Sequence, residues 1–188
     1  MDPWQSKLFK AYSEPVEVYL DGKGGCWCWR AALMKTGQFY VIKLFNLAVI
    51  EEVTSEIKSV QALKKITQNP DSHLVRLIDG PLTDRKLGVY YVMEYWGESL
   101  AKKLHQSLLP DPHEALKIIT HTLTALSGLH KLSLIHRDIK PANIVIKDGK
   151  CKICDYGLVR LKSEATSSLA GTFGYMTPEM YSGHTKTE

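Results

Sequence analysis

The sequence predicts an α+β protein, with a β-rich first half and a more helical second half. Three observations predict it. Residues 16–47 carry alternating and β-branched runs broken by turn signals. Residues 111–132 repeat apolar side chains at threes and fours. Between them, "WGES" at 96–99 reads as a connection.

In order, "VEVYL", "CWCWRAALM" and "TGQFYVIKLF" read as a meander of three strands, interrupted by "DGKGG" and a Thr-Gly turn. Val49, Ile50, Val53, Ile57, Val60, Leu63 and Ile66 fall at helical spacing, so 49–67 is expected to be an amphipathic helix, stopped by "QNPDS". "HLVRLIDG" and "KLGVYYVMEYW" read as two more strands. In 111–132 Pro112 sits near the start, and Leu116, Ile119, Leu123, Leu126 and Leu129 form the apolar stripe. "NIVIKDGKCKIC" reads as a hairpin tipped by Asp148-Gly149, a pair that supplies the positive φ values of a two-residue primed turn. Residues 158–188 lack strong periodicity and read as a long loop.

The 188 residues suffice for one good core or two small lobes. A net charge of +4, from 24 basic and 20 acidic residues, is too mild to argue for a nucleic-acid partner. "MDPWQSKLFK" lacks an apolar run of signal length, and no stretch approaches the roughly 18 apolar residues of a membrane span. A cytoplasmic protein with no membrane partner is therefore expected. Cys26-x-Cys28 and Cys151-x-x-Cys154 would bind zinc only if all four converged, and no His lies beside either pair at ligand spacing; free thiols are expected.

The chemistry concentrates in "LIHRDIKPANIVIKDGKCKICDYG". Magnesium takes hard oxygen ligands, usually one or two protein groups with substrate phosphates. The hairpin folds Asn143 and Asp155 toward each other, so both could hold such an ion. Asp138 could accept a hydroxyl proton, and Lys140 could neutralise a transferred phosphoryl group. Singly, each residue is as well read as a loop cap or a solvated charge. Together His136, Arg137, Asp138, Lys140, Pro141, Asn143, Asp155 and Gly157 make a pattern that chance does not supply.

On these motifs the chain resembles a eukaryotic-type Ser/Thr protein kinase. "HRDIKPAN" resembles the catalytic loop, "DYG" at 155–157 the magnesium-binding DFG, and "GTFGYMTPE" at 171–179 the end of the activation segment. "YVIK" at 40–43 resembles the VAIK strand, and "YVMEYWGESL" the hinge. The resemblance implies a two-lobe fold: a β-rich N-lobe over 1–95, with a five-stranded sheet and one helix, and a partial, mainly helical C-lobe over 96–188. It implies ATP and Mg²⁺ as cofactors and a protein substrate bearing Ser or Thr.

Residue by residue, it makes Asp138 the catalytic base and Lys140 a contact of the γ-phosphate. Asn143 and Asp155 become metal ligands. Lys43 binds the α- and β-phosphates and pairs with a helix acid, Glu56, with Glu52 one turn earlier as the alternative. Gly22, Gly24 and Gly25 cover the phosphates. Val41 roofs the adenine and Met93 is the gatekeeper. The backbones of Glu94 and Trp96 read adenine, and Ser99 lies near the ribose. Arg137 would receive a phosphate on Thr166, Ser167 or Ser168. Thr172 and Lys140 set a preference for Ser/Thr.

The chain departs from the family pattern at several points. Trp27 stands where the third loop glycine belongs and Trp29 where Val is usual, so Trp27 is a lid on the phosphates, a block to them, or a tryptophan packed on the sheet. Val41 replaces Ala, and Tyr156 replaces Phe, bringing a hydroxyl that needs a partner. Family members continue past the Glu179 motif with a large helical portion. A fragment, a naturally short kinase, and self-association or a partner covering the exposed face are three readings of that difference. A pseudokinase acting as a nucleotide-binding scaffold is the alternative to an enzyme.

Overall fold

In the computed structural model, residues 7–13, 16–21, 26–46, 50–85, 87–106, 109–163 and 171–178 are described. Gly22, Gly24, Gly25, Thr166, Ser167, Ser168 and Glu179 lie outside that set. Spatial proximity groups Met1–Lys64 with Arg76–Tyr95, and Lys65–Val75 with Trp96–Glu188.

The first unit is built on the meander. Strands β1 (Glu17–Asp21), β2 (Cys26–Ala32) and β3 (Phe39–Asn46) pair antiparallel, and the β2–β3 turn closes through Gly37 at φ +70°. Strands β4 (Leu77–Asp84) and β5 (Gly88–Glu94) complete a five-stranded sheet in the order β1-β2-β3-β5-β4. The register assigns its two faces. Trp27, Trp29 and Ala31 stand opposite Leu44, Ile42 and Tyr40, and this face meets Leu8 of the short helix α1 (Lys7–Ala11) in a buried cluster. Cys28 and Arg30 stand opposite Lys43 and Val41 on the other face, which also carries Phe45. Helix α2 (Ile50–Ile66) buries Val60 and Leu63. Its end is followed by a 3₁₀ turn, Pro70–Ser72, in which the Asn69 side chain accepts the Asp71 N–H at 3.0 Å.

One strand differs from expectation. The sequence placed β4 at His73–Gly80, whereas pairing starts at Leu77 and runs through Pro81 to Asp84. Proline is tolerated because β4 is the edge strand and its register shifts between Asp79 and Leu82.

Residues 73–75 belong instead to the second unit. Val75 N–H donates to the Ile153 carbonyl (2.9 Å), and Ile153 N–H donates to that of His73 (2.8 Å), making one parallel rung. There β6 (Glu98–Ser99), β8 (Ile144–Lys147) and β9 (Lys150–Ile153) form a small sheet. At the β8–β9 tip Asp148 and Gly149 take φ of +50° and +70°, as the Asp-Gly signal required. Gly97 enters β6 at φ +89°; a Cβ there would meet the Ile146 carbonyl oxygen at 2.5 Å, so only glycine fits. Helix α3 (Leu100–His105) is capped by Ser99 and α4 (Pro112–Lys131) by Asp111. Strand β7 (Leu134–Ile135) pairs with β10 (Arg160–Leu161), a pairing not foreseen in the loop-like 158–188 region.

The apolar face of α4 also needs correcting. Ile118, Ala125 and Leu129 are its buried side chains, whereas Leu116, Ile119 and Leu123 are 55–61% exposed. The helix is apolar on two sides, so spacing alone offers two stripes, and only Leu129 of the expected one is buried. Ile118 packs with Ile144, Ile146 and Cys151 beneath the hairpin. Among the described residues, no helix is long and apolar enough to cross a membrane.

Candidate active site

In the first unit, the described nucleotide-binding residues expected from the sequence lie on the central strands of the sheet. Lys43 on β3 stands between Cys28 on β2 and Tyr91 on β5, and Val41 between Arg30 and Met93. Side chains directly opposite one another share a face, so Val41, Lys43 and Met93 lie on one surface. Lys43 is buried, and its ammonium sits 5.5 Å from the centroid of the Phe45 ring. Cys28, not Trp29, therefore shares the face of Lys43, and Trp29 packs on the opposite face. Trp27 packs on the opposite face with the Leu8 cluster, which answers the lid question in favour of sheet packing. Glu94 N–H donates to the Arg76 carbonyl (2.9 Å), and the Glu94 carboxylate accepts the Arg76 N–H (2.8 Å). Glu52 and Glu56 both lie on α2, but their side chains are outside the described residues.

The second unit holds the catalytic-loop motif. After β7, Arg137 takes φ +66°, which turns the chain sharply between His136 and Asp138. His136 is buried; its Nε2 donates to the Cys154 carbonyl (3.3 Å) and its Nδ1 accepts the Asp138 N–H (3.4 Å). The Nδ1 acceptor bond requires the neutral, Nε2-protonated ring, whereas the Nε2–H bond to Cys154 can form in either state. Burial pushes the His136 pKa down, outweighing the raising effect of Asp155, the Cys154 bond and Asp138. A lowered pKa stabilises the fold fully above the unfolded value of about 6.5 and progressively less as pH falls below it. Thermal scans between pH 7 and pH 5 should therefore show a falling midpoint, with a shallower slope in His136→Gln. His121, also shifted down by burial, adds to the slope that persists.

Asp138 is 7% exposed and surrounded by donors. Lys140 Nζ lies 2.8 Å from Oδ2, Thr172 donates to Oδ1 at 2.7 Å, and Asn143 Nδ2 donates to Oδ2 at 2.9 Å and to the Asp138 carbonyl at 2.8 Å. Lys140 also donates to Thr172 Oγ1 (2.5 Å). Burial alone would raise the carboxyl pKa; the bonds from Lys140, Thr172 and Asn143, with the Lys140 charge, hold it below the ordinary value. Asn143 closes a 3₁₀ turn (Pro141–Asn143) directly before β8, and its carbonyl accepts the Cys154 N–H at 2.9 Å. The hairpin thus brings Asn143 beside the residue that precedes Asp155. Asp155 takes φ +61° and accepts the Gly157 N–H at 3.2 Å. Arg137 Nε donates to the Leu158 carbonyl (2.8 Å).

The remaining expected site residues of this unit have structural contacts of their own. Ser99 accepts the Lys102 N–H at the start of α3, and Trp96 lies under the Lys152 ammonium, 3.7 Å from the ring centroid. That the Val75 carbonyl receives the Tyr156 hydroxyl (2.5 Å) could not be read from the sequence, because 81 residues separate them.

A carboxylate held ionised beside an ammonium and a hydroxyl, with an amide and a second carboxylate at the ends of one hairpin, suits the handling of phosphate together with an alcohol. The family model for the protein kinase domain matches residues 21–188, and the chain belongs to the protein kinase family. It is 34% identical over 184 residues to the serine/threonine-protein kinase KIC1 of Saccharomyces cerevisiae, covering 93% of this chain and 16% of that protein. With the Aurora kinase of Schizosaccharomyces pombe it shares 35% over 158 residues, 82% of this chain and 44% of the other. With the cyclin-dependent kinase-like 4 of Mus musculus it shares 33% over 155 residues, 80% and 44% respectively. The chain spans less than half the length of these relatives.

Proposed function

We propose that this chain carries the catalytic machinery of a Ser/Thr protein kinase that moves the γ-phosphoryl of ATP to a protein hydroxyl. The observation that carries the reading is the network of Asp138 with Lys140, Thr172 and Asn143. Asp138 orients the incoming hydroxyl and takes its proton as the new O–P bond forms. Lys140 can leave Asp138 for the transferred phosphoryl group and offset its charge. Thr172, bonded to both, fixes their spacing. In the first unit Lys43 takes the α- and β-phosphates, while Val41 and Met93 line the adenine. The backbones of Glu94 and Trp96 read its edge, and Ser99 lies near the ribose.

The residues present fit a magnesium ion. Asn143 spends its amide N–H₂ on Asp138, which leaves Oδ1 as its acceptor, and Asp155 offers carboxylate oxygen. Among the described residues, no three His, Cys, Asp or Glu side chains form a metal-binding cluster. Two hard-oxygen donors suit an ion that arrives with phosphates and keeps several waters. Such an ion neutralises charge on the phosphates; Asn143 and Asp155 position it.

In a radiolabelled ATP assay on a generic Ser/Thr protein substrate, Asp155→Ala is expected to abolish transfer and leave the thermal midpoint within a few degrees. Equal transfer by wild type and variant would reject the reading. A rival reading is a nucleotide-binding scaffold, favoured by the bulk of Val41 beside Met93. Its signature is magnesium-dependent stabilisation by ATP with no phosphate transferred.

A further inference from the structure

We propose that Tyr156 is a positioning residue for Asp155, acting through the hold of its hydroxyl on the Val75 carbonyl. The inference rests on the kinase reading, in which Asp155 carries the metal.

Asp155 has a left-handed backbone, at φ +61°. A non-glycine residue keeps that conformation only when its surroundings fix it. On its N-terminal side Cys154 is fixed twice: its N–H donates to Asn143 and its carbonyl accepts from His136. On the other side the Tyr156 ring is fully buried, and the Tyr156 carbonyl accepts the Val159 N–H at 3.1 Å. The Tyr156 hydroxyl donates to the Val75 carbonyl at 2.5 Å, and Val75 N–H donates to the Ile153 carbonyl at 2.9 Å. These two bonds join Ile153 to Tyr156 through Val75. The chain between them, Cys154 and Asp155, therefore lies inside a closed hydrogen-bonded circuit. Phenylalanine would fill the same volume and leave the circuit open. The hydroxyl thus restricts the peptide on either side of Asp155 and presets its carboxylate for the ion.

The test compares wild type with Tyr156→Phe in the full chain. Titration calorimetry measures binding of a non-hydrolysable ATP analogue, with subsaturating Mg²⁺ and with EDTA. Amide exchange is followed at residues 73–76 in the metal-free protein. Loss of one such bond should weaken binding in magnesium by about three- to tenfold and leave binding in EDTA unchanged. Exchange at residues 73–76 should quicken by about tenfold. Unchanged magnesium dependence, equal weakening with and without metal, or unchanged exchange would each overturn the inference. Wild type that binds no nucleotide in magnesium would remove the kinase reading, and this inference with it. Normal wild-type binding with an indifferent variant would sink the inference alone.

Discussion

Replacing Asp138 by Asn is expected to lower phosphoryl transfer by about 10²- to 10⁴-fold, the range over which a positioned acid or base contributes. Asn keeps the shape but cannot accept the hydroxyl proton. It also removes the charge that Lys140 faces at 2.8 Å. Breaking that pair leaves a mostly buried ammonium that still donates to the Thr172 hydroxyl but has lost its facing charge, so stability should also drop, by about 1–3 kcal/mol. The two effects separate experimentally. Transfer measured at a temperature where circular dichroism shows the variant folded isolates the chemical loss. A variant retaining more than about a tenth of wild-type transfer would contradict the assignment of Asp138 as base. The lowered pKa of Asp138 adds a pH statement. Its carboxylate is ionised, and its stabilising bonds intact, above the unfolded value of about 3.9, and they are lost only as pH falls through the lower folded value. Any loss of transfer between pH 7 and pH 5 must therefore come from another group.

Phe45→Ala is expected to destabilise the protein by about 3–5 kcal/mol, the usual cost of emptying a buried aromatic position. Phe45 is 1% exposed and meets the Tyr91 ring at 6.0 Å between centroids. Typical domains have only about 5–15 kcal/mol in total, so the variant should be partly unfolded at moderate urea. Phe45 also lies on the face of Lys43, whose ammonium is 5.5 Å from its ring. Phe45→Leu restores most of the volume without the π-face. It should recover most of the urea midpoint yet still weaken nucleotide binding if the ring helps hold the Lys43 ammonium. A Phe45→Ala midpoint equal to wild type would show that the burial contributes nothing.

The parts of the fold legible in the sequence were those fixed by local signals. Asp148-Gly149 dictates its own turn, and that turn brings the strand ends carrying Asn143 and Asp155 together. The meander was legible for the same reason. What failed was what depends on distant partners. The two-residue pairing of Leu134–Ile135 with Arg160–Leu161 is too short to leave a periodic signature. His73–Val75 is as apolar and β-branched as a sheet strand, yet it serves β9, and only the register of β4 reveals this. Trp27 and Trp29 were placed by motif; which face they take depends on the β2–β3 register, which pairs Cys28 with Lys43 and which no local signal sets. Thr172 was expected to help set substrate preference; its bonds to both Asp138 and Lys140 bridge more than 30 positions that no local pattern links.

The single rung between Leu74 and Ile153 has a further consequence, for aggregation. Strand β9 buries Cys151, Lys152 and Ile153 and is paired with β8 along one side. Left bare, its other side would be a template for strands of neighbouring molecules. The rung closes the Ile153 end of that side with the chain's own backbone. At the outer margin of the large sheet, β4 meets the same hazard differently: Pro81 removes a donor and the two register shifts break the regular spacing that an incoming strand would need.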